Sequence, residues 1–171
     1  MSVEHIQNSV NDVITYLNEN PKDALSNDPP VTAVMENGLR CRATGTGGES
    51  IVTDMPEAIG GGGSAPSPGW LSRAALATCD ATRIALHAAH VGVTLDTLTV
   101  TIDSVSDDRG LLGLDDSVPA GPLSVQTQIT IGAAGVDENV LREIVDFSVA
   151  HSPVSDGCRR ATPTNINVEI A

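Results

Sequence analysis

The chain has 171 residues, a formal net charge of -13 and a pI near 4.4, which is the length of one ordinary domain with room for a proper core. The acidic balance offers no basic patch, so neither nucleic acid nor an anionic membrane surface is expected as a partner. Hydrophobic residues reach 40% while aromatics stay at 2%, so the core is expected to be built from Val, Ile, Leu and Ala, the composition of a sheet packed on small-residue helices.

In chain order, residues 3 to 19 place Ile6, Val10, Val13, Ile14 and Leu17 at helical spacing, with Pro21 just beyond. This predicts an amphipathic helix. The first residues, MSVEHIQNSV, carry acid where a signal peptide carries base, and no apolar run reaches the roughly 18 residues of a membrane span, so the expected compartment is the cytoplasm. Lys22 to Pro30 is polar and proline-bearing and reads as a linker. Residues 1–30 are therefore expected to form a helix and linker preceding a domain at 31–171.

Val31 to Glu36 and Leu39 to Thr44 are strand candidates joined by Asn37-Gly38, the strongest short hairpin pattern, and Ser50 to Asp54 supplies a third strand after Gly45 to Gly48. These three are expected to form a meander. Gly45, Gly47 and Gly48 lack the Gly-Lys-Ser/Thr ending of a phosphate loop. Gly60 to Gly63 is expected to be a turn that delivers the chain to the next helix.

That helix, SPGWLSRAALATCDATRIALHAAHVG from Ser67 to Gly92, carries a complete signature: Ser67 as N-cap, Pro68 at the first helical position and Gly92 where a left-handed C-cap belongs. Seven alanines in its interior allow close approach by other backbone, which predicts a central, largely buried helix. Cys79 lies near its middle, beside Asp80. Arg83 follows at i+4 and is the candidate stabiliser of a Cys79 thiolate, although a buried apolar cysteine and a surface arginine are the plainer readings. Cys41 and Cys158 complete an odd set without a CxxC pair, against a disulfide scaffold or structural zinc.

Leu95 to Asp103 and Leu123 to Ile131 alternate as two long strands. Between them, DDRGLLGLDDSVPAG is too long for a tight turn, and its aspartates, off the calcium-loop spacing, read as solvated charge. Asp137 is expected to cap a second helix to about His151, Pro153 to end it, residues 153 to 161 to add a short helical turn, and Ile166 to Ile170 to alternate as a last strand. The resulting order is α-βββ-α-ββ-α-β, an α+β fold of antiparallel strands wrapped around a central helix. Arg40 and Arg42 flank Cys41 on one strand face, and His87 and His90 lie one turn apart, with His151 in a separate segment. These histidines do not amount to the three or four ligands of a metal site, and neither metal nor cofactor is expected.

The stretch DMPEAIGGGGSAPSPGWLSRAALATCDATRIALHAAHVGVTLDTLTVTIDS resembles the core of the OsmC/Ohr family, the osmotically inducible and organic-hydroperoxide-resistance proteins, and the resemblance covers about residues 31 to 171. It implies an intertwined homodimer around two central helices and a thiol peroxidase site at the subunit interface. The family uses an attacking cysteine on the central helix, a resolving cysteine in a Cys-Pro after the second helix, and an Arg and a Glu that activate the first thiol. Cys79 matches the attacking cysteine. Ser152-Pro153 stands where Cys-Pro is expected, the glutamate position falls at Gly69, and the arginine has no match between Asp54 and Trp70. Cys158 lies six residues past Ser152, about 9 Å along a helix, beyond the roughly 7 Å that bridged Cα atoms allow.

Two functions therefore stand side by side. One is a thiol-dependent peroxidase acting through Cys79 on a small organic hydroperoxide, with an external thiol as resolving partner. The other is a non-catalytic dimeric binding or redox-sensing module on the same scaffold.

Overall fold

The structure, a computed structural model, describes residues 2–170. Its elements run α1 (Val3–Glu19), β1 (Val31–Asn37), β2 (Arg40–Gly45), β3 (Ser50–Thr53), α2 (Pro68–His90), β4 (Thr97–Val105), α3 (Asp108–Leu111), β5 (Ser124–Gly132), α4 (Glu138–Ala150) and α5 (Pro153–Arg159), with short 3-10 turns at Pro21–Ala24 and Glu57–Ile59. Two compact units emerge, Asn8–Ala75 and Leu76–Ala171 together with Met1–Gln7. No helix among the described residues is long and apolar enough to cross a membrane.

In the first unit, β1, β2 and β3 pair antiparallel in sequence order, the expected meander. The β1–β2 turn lies one residue later than the Asn-Gly pair suggested: Asn37 closes the strand, and Gly38, with φ of +56°, takes the first central position with Leu39 behind it. Glycine is favoured there because a left-handed φ matches the twist of the strands it joins. The ladder passes from Met35↔Cys41 to Asn37↔Arg40, leaving Glu36 unpaired at an irregularity, the kind of insertion that re-aims a side chain. All seven residues of β1 are exposed, Val31 and Met35 at 70% each.

In the second unit, β4 and β5 form a nine-pair antiparallel hairpin from Thr97↔Gly132 to Val105↔Ser124. The residues of β4 alternate between exposed and half-buried, as a strand with one covered face must. Leu98 and Val100 from β4, Ile129 and Ile131 from β5, and Val93 and Leu95 pack against Ile84, Ala88 and Ile144, the buried centre of the core. On α2 the buried residues Leu76, Asp80, Ile84 and Ala88 recur every fourth position, with Ala89 beside the last, so the single chain covers one stripe of the helix rather than its whole circumference. The caps are as expected at both helices: Trp70 N donates to Ser67 Oγ, Val93 N returns to Ala88 O beyond Gly92, and Asp137 accepts from Asn139 N.

One expectation changes. The segment read as a last strand, Ile166 to Ile170, is not one: residues 161–170 form no ladder, and Ile166, Val168 and Ile170 are 84%, 76% and 88% exposed. An alternating apolar run becomes a strand only when it pairs with an edge, and among the described residues this run pairs with none. The loop between β4 and β5 keeps its aspartates exposed or half-exposed and adds the short helix α3. Asp107 caps α3 by accepting from Arg109 N, the Arg109 guanidinium pairs with Asp107 and reaches Asp115, and Asp115 accepts from Ser117 N and Oγ.

Candidate active site around Cys79

Cys79 is half-buried at the middle of α2. The hydroxyl of Ser152 donates to Cys79 Sγ at 3.2 Å. Ser152 is 0% exposed and is the residue preceding α5, where Pro153 ends the continuity with α4 and opens the next helix. The neighbouring pair repeats the contact one step along, since Ser155 Oγ donates to Asp80 Oδ1 at 2.7 Å with both residues buried. Two adjacent α2 residues are thus held by the N-cap serine of α5 and a serine within α5, three positions apart, the spacing that puts side chains on one helix face. Sequence reasoning isolated Ser152 as a substitution but did not find the Asp80–Ser155 pair, which only the three-residue spacing hinted at.

One turn further along α2, Arg83 stands over the chain's single phenylalanine, its Cζ 5.2 Å from the Phe147 ring centroid. Phe147 is itself sandwiched: His87 stacks at 4.0 Å on one side and His151 at 4.2 Å on the other. Both imidazoles and the guanidinium therefore share one aromatic face pair, an arrangement in which the ring's negative faces favour nearby cations. His87 Nδ1 is buried without a hydrogen-bond partner. Burial, then the charges of Arg83, His90 and His151, hold His87 below the usual histidine range. His90 lies 6.2 Å from His87, and Gln7 Nε2 donates to the His90 carbonyl at the end of α2. Among the described residues no three His, Cys, Asp or Glu side chains gather as metal ligands.

The remaining candidates sit in the first unit. Arg40 and Arg42 do share a face, and both pair with the carboxylate of the unladdered Glu36, at 3.0 and 2.5 Å. Arg40 Nη1 also donates to Ser64 Oγ at 2.6 Å, and Ser64 Oγ donates onward to Asp54 Oδ2 at 2.7 Å. Asp54, 3% exposed, accepts as well from the backbone N–H groups of Met55, Gly62 and Ser64. These donors lower its pKa to about 2, the Ser64 backbone and hydroxyl foremost. The Gly-rich stretch is thus a turn closed around the chain's own carboxylate. Gly61 is required within it, because a Cβ there would lie 1.8 Å from Met55 O. Cys41 is half-buried on β2. Cys158 is exposed on α5, which is helical from Pro153 onward, so it remains separated from the Ser152 position by about 9 Å of helical rise.

Comparison with known proteins places this arrangement. A family model described as OsmC-like protein matches residues 61–167, the stretch from the glycine turn through α5. Among solved structures, an OsmC-like protein from Mycoplasma pneumoniae superposes with a TM-score of 0.66 at 15% identity, covering 80% of this chain and 91% of that one. A Psychrobacter arcticus protein described as osmotic stress induced and of the detoxification response gives 0.60 at 22%, covering 77% and 89%. An organic hydroperoxide resistance protein OsmC from Legionella pneumophila gives 0.56 at 19%, covering 78% and 92%. A search of curated proteins returns no match. At these identities the structural likeness speaks for the fold, and the sequence match over more than half the chain speaks for the lineage: the chain belongs to the OsmC-like family.

Proposed function

We propose that the protein is a peroxide-related oxidative-stress protein and, more finely, a homodimeric thiol peroxidase that reduces organic hydroperoxides at Cys79. The observation that carries this reading is the 3.2 Å contact between Cys79 Sγ and Ser152 Oγ. It brings within hydrogen-bond distance the two positions at which the resemblance puts the family's attacking and resolving sulfurs, with oxygen in place of the second sulfur and without the family's Arg and Glu. The Legionella neighbour's description as a hydroperoxide resistance protein supports the substrate class.

In the proposed cycle the Cys79 thiolate attacks the distal oxygen of ROOH. The O–O bond breaks, the sulfur loses two electrons to become a sulfenic acid, and the alkoxide takes a proton and leaves as ROH. With oxygen at position 152 no internal disulfide forms. An external thiol condenses with the sulfenic acid, releasing water, and a second thiol displaces it, returning Cys79 and a small disulfide. Arg83, fixed over Phe147 one turn from Cys79, supplies a positive charge on the same stripe of α2 in this scheme. The dimer is supported by surface that one chain leaves uncovered: a fully exposed β1 and the apolar residues Ile166, Val168 and Ile170.

The test is oxidation of the reduced protein by hydrogen peroxide and by a bulky alkyl hydroperoxide, with sulfenic acid trapping. The expected result is trapping at Cys79 alone, faster with the alkyl hydroperoxide, and no intrachain disulfide on non-reducing mass analysis. Cys79→Ser abolishes turnover, while Cys41→Ser and Cys158→Ser leave it nearly intact. Oxidation of Cys79 no faster than that of a free thiol refutes the peroxidase and leaves the scaffold as a binding or redox-sensing module.

A further inference from the structure

We infer that Ser152 is the hydrogen-bond donor that stabilises the Cys79 thiolate when it forms, so that the residue standing where a second sulfur is expected serves the attacking sulfur instead of disulfide formation. The inference rests on the peroxidase reading and adds a residue to it.

Three features of the site carry the argument. Ser152 occupies the N-cap of α5, where a serine side chain ordinarily accepts a hydrogen bond from the second or third helical N–H. It makes no such bond. Its backbone carbonyl accepts from Asp156 N at 2.8 Å and so begins the helix in the usual way, while its hydroxyl is turned to Cys79 Sγ. The hydroxyl is also 0% exposed, so no bulk water competes for its single proton. Finally, the donor is held in place by something other than its own bond: the buried Ser155–Asp80 pair joins the same two helices beside it at 2.7 Å.

The direction of the effect follows from what each protonation state of sulfur can accept. A neutral thiol is a weak acceptor and a weak donor, so a serine hydroxyl gains little from it. A thiolate is a charged acceptor, and hydrogen bonds to ionised partners are roughly twice as strong as neutral ones. A hydroxyl fixed against the sulfur therefore favours the thiolate, the form that attacks a hydroperoxide. Oxygen suits this role better than sulfur would, since an S–H donates only weakly, and a hydroxyl is not consumed by the oxidant.

The test compares the unsubstituted protein with Ser152→Ala, measuring the pH profile of Cys79 alkylation by iodoacetamide, a reaction that involves no peroxide. The expected result is an alkylation midpoint displaced to higher pH in Ser152→Ala and a rate about 3–10-fold lower at pH 7, as for a lost charge-assisted hydrogen bond. A folded Ser152→Ala protein with an unchanged profile overturns the inference. Should the variant not fold, the unsubstituted protein decides: the Ser152 Cβ NMR resonance is expected to titrate with the same midpoint as Cys79 alkylation, and a resonance that ignores that midpoint overturns the inference. The two claims fail separately. A displaced profile in a protein whose Cys79 oxidises no faster than a free thiol upholds the donor and refutes the peroxidase, while fast oxidation with an undisplaced profile does the reverse.

Discussion

Asp54 shows how one residue organises a motif. Its carboxylate gathers four donors from Met55, Gly62 and Ser64, and these lower its pKa from 3.8 to about 2. A carboxylate depressed on folding contributes stability that is present at neutral pH and lost as pH falls between about 4 and 2, because the unfolded chain binds the proton first. In Asp54→Asn, which no longer titrates and cannot accept the Ser64 bonds in the same way, thermal melts are expected to start lower at pH 7 and to depend less on pH across that window. Equal melting curves for the two proteins would show that the carboxylate does not close the turn. A second residue-scale outcome concerns Ser152→Cys: a thiol at the 3.2 Å contact is expected to condense with the Cys79 sulfenic acid, releasing water and forming an intrachain disulfide visible as a loss of two hydrogens on intact mass analysis. Continued trapping of sulfenic acid with no disulfide would mean that the backbone at Ser152 cannot deliver a sulfur.

Among the elements, α2 is where the core and the candidate site share one helix. Ile84, 0% exposed, clusters with Ala88 and Ile144, and the hairpin residues Val100 and Ile129 pack against that cluster. Ile84→Ala is expected to cost about 2–5 kcal/mol, the range for a large-to-small change in a packed core. Urea unfolding measures it, and a loss below 1 kcal/mol would place the core elsewhere. The α2–α4 contact has its own pH signature. His87 is held below the usual histidine range by burial and by Arg83, His90 and His151, so the unfolded chain takes up a proton that the folded chain resists, and stability is expected to fall as pH drops through the ordinary histidine value of about 6.5. Arg83→Met removes one of those charges, and an NMR titration is expected to show the His87 midpoint rising toward that value; a midpoint that stays put would detach Arg83 from the stack. The extent of α2 was legible in the sequence because Ser67, Pro68 and Gly92 are local signals acting within one turn. The stack was not, because Phe147 faces His87 across sixty residues and no short-range pattern encodes which side chains two helices bring together. Ser152 was legible only as a departure from a pattern, and its bond to Cys79 is a tertiary contact. The Asp54 turn hid for another reason: four glycines state that the backbone is free, not what it closes upon.

For the molecule as a whole, the one misread element is instructive. The alternation from Ile166 to Ile170 is a sound strand pattern, yet among the described residues it pairs with no strand, and its three apolar side chains stay exposed. A pattern whose partner lies on another copy looks like this in a single chain. In the proposed dimer, sedimentation is expected to show no compact monomer even at nanomolar concentration, and a chain ending at residue 162 is expected to dissociate at much higher concentration than the full chain. A stable monomer in either form would sink the shared core.

The oxygen at position 152 also sets a clock. A built-in resolving sulfur discharges a sulfenic acid by a unimolecular step whose rate is fixed by the fold, whereas in the proposed cycle Ser152 would leave a bimolecular one whose rate is proportional to the surrounding thiol. In the proposed cycle the lifetime of oxidised Cys79 therefore lengthens whenever the external thiol runs short, so the fraction of oxidised protein follows the ratio of hydroperoxide to thiol and not hydroperoxide alone.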